Sequence, residues 1–213
     1  MSEPSWLERI WEEREERIYP AMFGAMRGIF PIPASRFQRF EVTPDPRWLT
    51  IGAFECAPTE DRVSWLYVTS GLSNPWDGEN NPAEPCGYGC EFLIETTLRA
   101  EWPIRLLHHL ASIQLLTMSA RIPGEPFGRG HRIALHGSID EGSSALHHVV
   151  LAEPPFGSTL QQASGTAAWM LCVGISDEEK GFARENGNEE LLARLRRAGA
   201  FPVTNPERPS LRL

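Results

Sequence analysis

The sequence predicts an α+β domain. Three observations carry this. An amphipathic helix signal opens the chain, short aromatic and β-branched runs bounded by Gly and Pro follow it, and a Leu-rich helical pattern between Pro103 and Met118 interrupts those runs. At 213 residues the chain suits one domain, and a domain of that size buries roughly 70% of its unfolded surface without needing disulfide or metal staples. Hydrophobic residues at 41% and charged residues at 23% place it among packed domains rather than disordered segments. There is no internal repeat and no low-complexity linker.

Ser5-Trp6-Leu7-Glu8 fits a capping box, in which the Ser5 hydroxyl and the Glu8 carboxylate satisfy free amides at a helix start. Trp6, Leu7, Ile10, Trp11 and Ile18 then mark one face of a helix that must dock, with Glu12, Glu13, Glu15 and Glu16 among arginines on the other. Pro20 is expected to end this helix near Tyr19, which sets residues 1–19 apart as a docking element and leaves 20–213 as the domain proper. Residues 22–46 read as irregular, rich in Gly, Pro and Phe. Residues 48–56 and 64–70 read as strands, 74–85 as a loop, and 89–96 as a strand again. Pro103 suits a first helical turn, and Leu106, Leu107, Leu110, Ile113 and Thr117 carry the helix to Met118. A Gly/Pro turn over 123–130 leads to short strands at 132–136 and 147–151. Residues 166–175 are apolar enough for a central strand buried on both faces. A basic-ended helix over 188–198 and an extended tail from Pro202 complete the order.

The net charge of −8 argues against a nucleic-acid partner, which would require clustered positive charge. Cys56, Cys86, Cys90 and Cys172 do not form a disulfide-scaffold pattern, the N-terminus has no apolar signal core, and no apolar run approaches the roughly 20 residues a bilayer span needs. A cytoplasmic protein with reduced thiols and no membrane association is expected. The six histidines and four cysteines raise a metal reading, with Cys86, Cys90, His131 and His136 as its elements. The spacing disfavours it: no tight Cys-x-x-Cys knuckle exists, and His131 and His136 would point to opposite faces of a regular strand. His108-His109 and His147-His148 read as pairs of one packed and one solvated ring. The chain has no nucleophile elbow, phosphate-binding glycine loop or dinucleotide fingerprint. No catalytic residue, metal or cofactor is therefore assigned. Trp65 and Trp169 read as core. Trp76, in a polar Pro-rich loop, is either an interface anchor or a cover for the core edge.

The string Trp65-Leu66-Tyr67-Val68-Thr69-Ser70-Gly71-Leu72-Ser73, followed by Gly87-Tyr88-Gly89-Cys90-Glu91-Phe92, resembles the signature of suppressor-of-fused (SUFU-like) domains. Trp102-Pro103 opening a Leu-rich helix, Gly130-His131-Arg132-Ile133, His148-Val149-Val150-Leu151 and Leu171-Cys172-Val173-Gly174-Ile175 follow in the family's order. Tyr19-Pro20-Ala21-Met22-Phe23-Gly24 looks like the opening of bacterial members. The resemblance implies a mixed, mostly antiparallel sheet flanked by helices, and a protein-binding module with no catalytic machinery. Within it, Gly71, Gly87 and Gly89 are expected to allow backbone geometry that a side chain would obstruct, and Glu91, charged in an apolar strand, to be exposed or paired. The 213 residues leave no room for the second domain of eukaryotic members. Resemblance to single-domain bacterial members implies instead an immunity protein that neutralises a toxin by occlusion. If that toxin is a basic domain, the acids Asp77, Glu79 and Glu84 beside Trp76 form the expected contact. Two alternatives remain: a metal-dependent or small-molecule enzyme using the His and Cys inventory, and a scaffold binding an extended peptide. The oligomeric state is not encoded in any of these signals.

Overall fold

The computed structural model describes residues 5–76 and 81–213. In chain order the first elements are α1 (Trp6–Glu12), a π-helical turn (Glu13–Ile18), α2 (Tyr19–Phe23), β1 (Met26–Pro31), α3 (Ser35–Gln38) and a 3-10 turn (Pro46–Thr50). Strands β2 (Gly52–Cys56), β3 (Trp65–Ser70) and β4 (Pro85–Thr96) precede α4 (Trp102–Met118). The rest comprises β5 (Arg132–Ala134), β6 (His148–Ala152), β7 (Thr159–Gln162), β8 (Gly165–Ile175), α5 (Asp177–Asn186), α6 (Asn188–Arg197) and β9 (Val203–Thr204).

The strands form one sheet in the order β1-β2-β3-β4-β8-β6-β5, with β7 beside β8 and β9 beside β4. Among the described residues, β4 runs parallel to β8 and β9, and every other pairing is antiparallel. This is the mixed, mostly antiparallel sheet that the sequence implied. Side chains alternate between faces along each strand, and both faces are covered. On one, Tyr67, Phe92, Ile94, Met170 and Cys172 pack under α4 with Phe37 and Trp48. On the other, Leu66, Val68, Leu93, Trp169, Leu171 and Val173 meet Tyr19, Phe23 and the leucines of α6. Burial on both faces is why β8 reads as a continuous apolar run.

Four expectations need correction. Pro20 does not stop the N-terminal helix. The π-helical turn moves the hydrogen-bond register, so the Tyr19 N–H reaches the Arg14 carbonyl, and Pro20 enters the first turn of α2, where no donor is required. The helix ends instead at Gly24, with φ +80°. Residues 22–46 are not wholly irregular: they contain β1, an edge strand with a shift in register between Arg27 and Ile29, and the short α3. The strand expected from Trp48 begins only at Gly52, because Asp45 caps a 3-10 turn through Arg47 N–H and holds residues 46–50 out of the sheet. Finally, β7 and α5 lie where no element was expected. Ser176 and Glu179 form a capping box of the same type as Ser5 and Glu8, so α5 was announced by a signal already used at the N-terminus.

His108 on α4 ties the edge strand down, its Nε2–H donating to the Phe30 carbonyl at 2.7 Å. Burial holds its pKa below the ordinary 6.5, opposed by the Phe30 bond and assisted by nearby Arg36. The unfolded chain therefore takes up a proton below pH 6.5 that the folded chain refuses, and stability falls as pH drops from 6.5. Above that value the contribution is constant. His109 acts in the same direction. His108→Gln should flatten the decline by up to about 1.4 kcal/mol per pH unit, the limit for one proton. Urea midpoints above and below pH 6.5 measure this, and an unchanged slope in the variant would remove His108 from the account.

Candidate functional site

The loop between β3 and β4 is held from beneath by polar groups that are themselves buried. Glu91 is fully buried on β4, where an unpaired carboxylate would be prohibitively costly. It is not unpaired. Its oxygens accept the Gly71 N–H at 2.9 Å, the Ser73 N–H at 2.9 Å, the Ser73 hydroxyl at 2.7 Å and the Thr69 hydroxyl at 2.6 Å. From the opposite side comes Arg14, also fully buried. Its guanidinium donates to Ser70 Oγ at 2.8 Å, Asn74 Oδ1 at 2.7 Å and Ser73 Oγ at 3.3 Å, with weaker reach to Gln162 and Glu15. The Ser73 hydroxyl stands between the two charges, giving its proton to Glu91 and accepting from Arg14. The clamp fixes the chain from Thr69 to Asn74, and the return strand closes on it at Gly87. There φ is +60°, and an added Cβ would lie 2.4 Å from the Asn74 carbonyl oxygen and 2.6 Å from that of Leu72. Only glycine fits that approach.

Above the clamp the loop opens into a cleft of about 330 Å³ lined by Arg47, Trp76, Glu84 and Tyr88 among others. The 3-10 turn supplies one wall. Asp45 grips the Arg47 guanidinium at 2.7 Å, and that interaction holds the Asp45 carboxyl below its usual range. Arg47 in turn lies over the Trp76 ring, 5.8 Å from its centroid. The next residue, Trp48, donates its indole N–H to the Tyr88 hydroxyl at 2.9 Å. Trp76 itself is half-buried against the core, and its Nε1–H has no hydrogen-bond partner among the described residues. Such a donor is costly to leave unmade. The site can seat and orient a partner group.

Most of these residues lie within the stretch that matches known proteins. The family model described as suppressor of fused protein (SUFU) matches residues 47–209. The chain belongs to the SUFU family. Suppressor of fused homologues of Homo sapiens and Mus musculus are 27% and 26% identical over 144 residues, a stretch that takes in 62% of this chain and 28% of each homologue. The chain thus spans under a third of the length of those relatives. Among solved structures, one from the Sufu-Fu complex superposes with TM-score 0.62 at 20% identity, covering 84% of this chain and 92% of the other. Drosophila Suppressor of Fused gives 0.61 at 20% identity, over 87% of this chain and 52% of that one. A SUFU homologue from Neisseria gonorrhoeae gives 0.54 at 19% identity, over 83% and 92%.

The SUFU signature can now be read chemically. Thr69, Ser70, Gly71, Ser73, Gly87 and Glu91 are the clamp, and Glu91 is paired rather than exposed. Arg14 was not expected: it sits among glutamates on what reads as the solvated face of the first helix, and it lies outside the matched residues. A clue was present in Ser70, Ser73 and Asn74, whose side-chain acceptors a carboxylate cannot satisfy and which therefore call for a donor. Of the expected contact residues, Trp76 and Glu84 line one cleft, while Asp77 and Glu79 lie outside the described residues. Trp76 rests on the core edge and lines the cleft. Cys56, Cys86, Cys90 and Cys172 are all free and buried, and burial pushes the Cys56 thiol up to about 12. No three His, Cys, Asp or Glu side chains converge on a metal-sized point among the described residues. His147 and His148 form the expected pair of one solvated and one packed ring, with side chains 44% and 8% exposed, and both also reach the Asp177 carboxylate, at 3.1 Å and 2.7 Å. No described helix is long and apolar enough to cross a membrane.

Proposed function

We propose that this chain is a non-catalytic protein-binding module that neutralises a cognate toxin domain by occlusion. The observation that carries the reading is the clamp. Signature side chains fix the chain on either side of Trp76 and Glu84, so these two residues need little ordering for binding. Occlusion needs complementarity and a few anchors, not chemistry. Two further facts support it: the net charge of −8 favours a basic partner, and a neighbour of the same fold was solved in a Sufu-Fu complex. The test is purification of the tagged chain from its native host with its bound partner, followed by charge reversal of Asp77, Glu79 and Glu84. The triple variant should slow association by about tenfold at low salt and flatten its salt dependence. An unchanged on-rate would take the loop out of the interface.

A second reading rests on a different surface. β1 is an edge strand whose Ile29 and Phe30 are 43% and 39% exposed, beside a largely apolar cleft of about 630 Å³ that includes Pro33, Ile104 and His108. An extended peptide adding to that edge would gain main-chain hydrogen bonds and side-chain pockets together. A partner whose binding survives the acid reversals but is abolished by Ile29→Lys favours this mode over the loop.

A further inference from the structure

A third cleft, of about 420 Å³, lies between α3, α4 and the segment after β5. Its charge runs against that of the molecule. In a chain of net charge −8, this cleft gathers Arg36 and Arg39 from the region of α3, Arg105 and His109 from α4, and His136 from the loop. One carboxylate of the lining, Glu141, answers them, 2.8 Å from Arg105 Nε. Even that pair is poorly aligned, since Arg105 Nε is sealed from solvent without a hydrogen bond. A second acid, Glu101, takes another nitrogen of Arg105 at 3.1 Å from outside the cleft. Arg36 and Arg39 have no carboxylate within ion-pair distance among the described residues. Burial first, and then Arg39 and Arg105 against an opposing pull from Glu141, hold the Arg36 pKa down, while burial, Arg36, His136 and Arg39 do the same to His109.

We propose that this cleft binds a phosphate monoester. Guanidinium groups arriving from separate elements offer forked donors in several directions, which suits a tetrahedral dianion better than a single planar carboxylate. The walls between the charges are apolar, formed by Leu106, Leu135 and Ile139, so the ester's organic body has a surface to lie on. The volume falls within the range of small-ligand sites. Nothing in this requires the loop cleft or its partner.

Phenyl phosphate is the probe, titrated into the full chain at about 150 mM salt, where exposed charges more than about 8 Å apart are largely screened. Heteronuclear shifts and calorimetry should report saturable binding, with α3 and α4 amides moving. Arg36→Gln with Arg39→Gln should weaken it at least about tenfold, as expected for losing two charge-assisted contacts. Arg17→Gln with Arg184→Gln removes the same charge away from the cleft and should change affinity less than about twofold, as a screened distant pair does. Equal weakening in both variants would reduce the effect to net charge and overturn the site, as would the absence of saturable binding to the wild-type chain. Circular dichroism confirms that each variant is folded. A phosphoserine peptide in a parallel arm separates the sources. Tighter binding than phenyl phosphate assigns the ester to a protein, and equal or weaker binding assigns it to a small molecule.

Discussion

Glu91→Ala is expected to destabilise the protein by about 3–5 kcal/mol, the range for stripping one member from a buried ionic network. The cost arises from what is left behind. The amides of Gly71 and Ser73 point at the vacated volume, at about 1–3 kcal/mol for each orphaned donor. The Thr69 hydroxyl suffers less, because it can still donate to the Phe92 carbonyl at 3.3 Å. Glu91→Gln, which keeps the shape and one acceptor oxygen, should cost about 1–3 kcal/mol. Urea unfolding gives both values, and the graded second variant keeps the measurement readable if the first does not fold. A loss below about 1 kcal/mol for Glu91→Ala would mean that the loop root is held by its glycines and not by the carboxylate.

Arg14→Met should lose about 3–4 kcal/mol, again the penalty for removing one partner of a buried charged cluster. Met fills much of the volume, so the loss reports the polar contacts rather than a cavity. Ser70 Oγ, Asn74 Oδ1 and Gln162 Oε1 would lose their donor together. Arg14→Lys retains the charge without the fork and should recover part of this, leaving a deficit of about 1–2 kcal/mol. The two sites meet at the Ser73 hydroxyl, so the double variant Glu91→Ala with Arg14→Met should fall short of additivity by about 1 kcal/mol or more. Strict additivity would show two independent anchors instead of one clamp. Hydrogen exchange offers a local check: the amides of Gly71 and Ser73 should lose protection in either variant before those of β8 do.

How far the sequence could be read depended on whether a signal was local. The strands expected at 64–70, 89–96 and 166–175 and the helix opening at Trp102-Pro103 announce themselves through composition and spacing, and the structure has each of them, with the second strand reaching back to Pro85. β1 was hidden because its residues are exposed and its Gly and Pro imitate a loop, while its pairing with β2 is a tertiary fact. β7 was hidden for the same reason, four residues long and half exposed. Pro20 misled because its effect on the preceding residue was weighed without the π-helical turn that accommodates it. At the site, Glu91 could be flagged as a charge that needs partners, but which partners depends on how Ser73 returns toward the strand. Arg14 was invisible among similar neighbours, since periodicity locates a face and cannot say that one arginine on it will be enclosed. The charge of the basic cleft was equally dispersed in sequence, with Arg36, Arg105 and His136 on three separate segments.

The position of β4 has a consequence for how the molecule comes into being. β4 is covered on one side by β3, made just before it, but on the other by β8, with Cys90 opposite Ala168 and Leu93 opposite Leu171. During synthesis at about 5–20 residues per second, β4 therefore waits several seconds on the ribosome for its neighbour. Throughout that interval a nascent chain displays an open strand edge and the row Phe92, Ile94 and Leu93 on its two faces. That is the kind of template on which chains join one another. The half of the molecule that carries the signature is thus the half that cannot finish alone. A message cut short before codon 165 would yield not a smaller working module but a sticky fragment, and the cell must shelter β4 until the last third of the chain arrives.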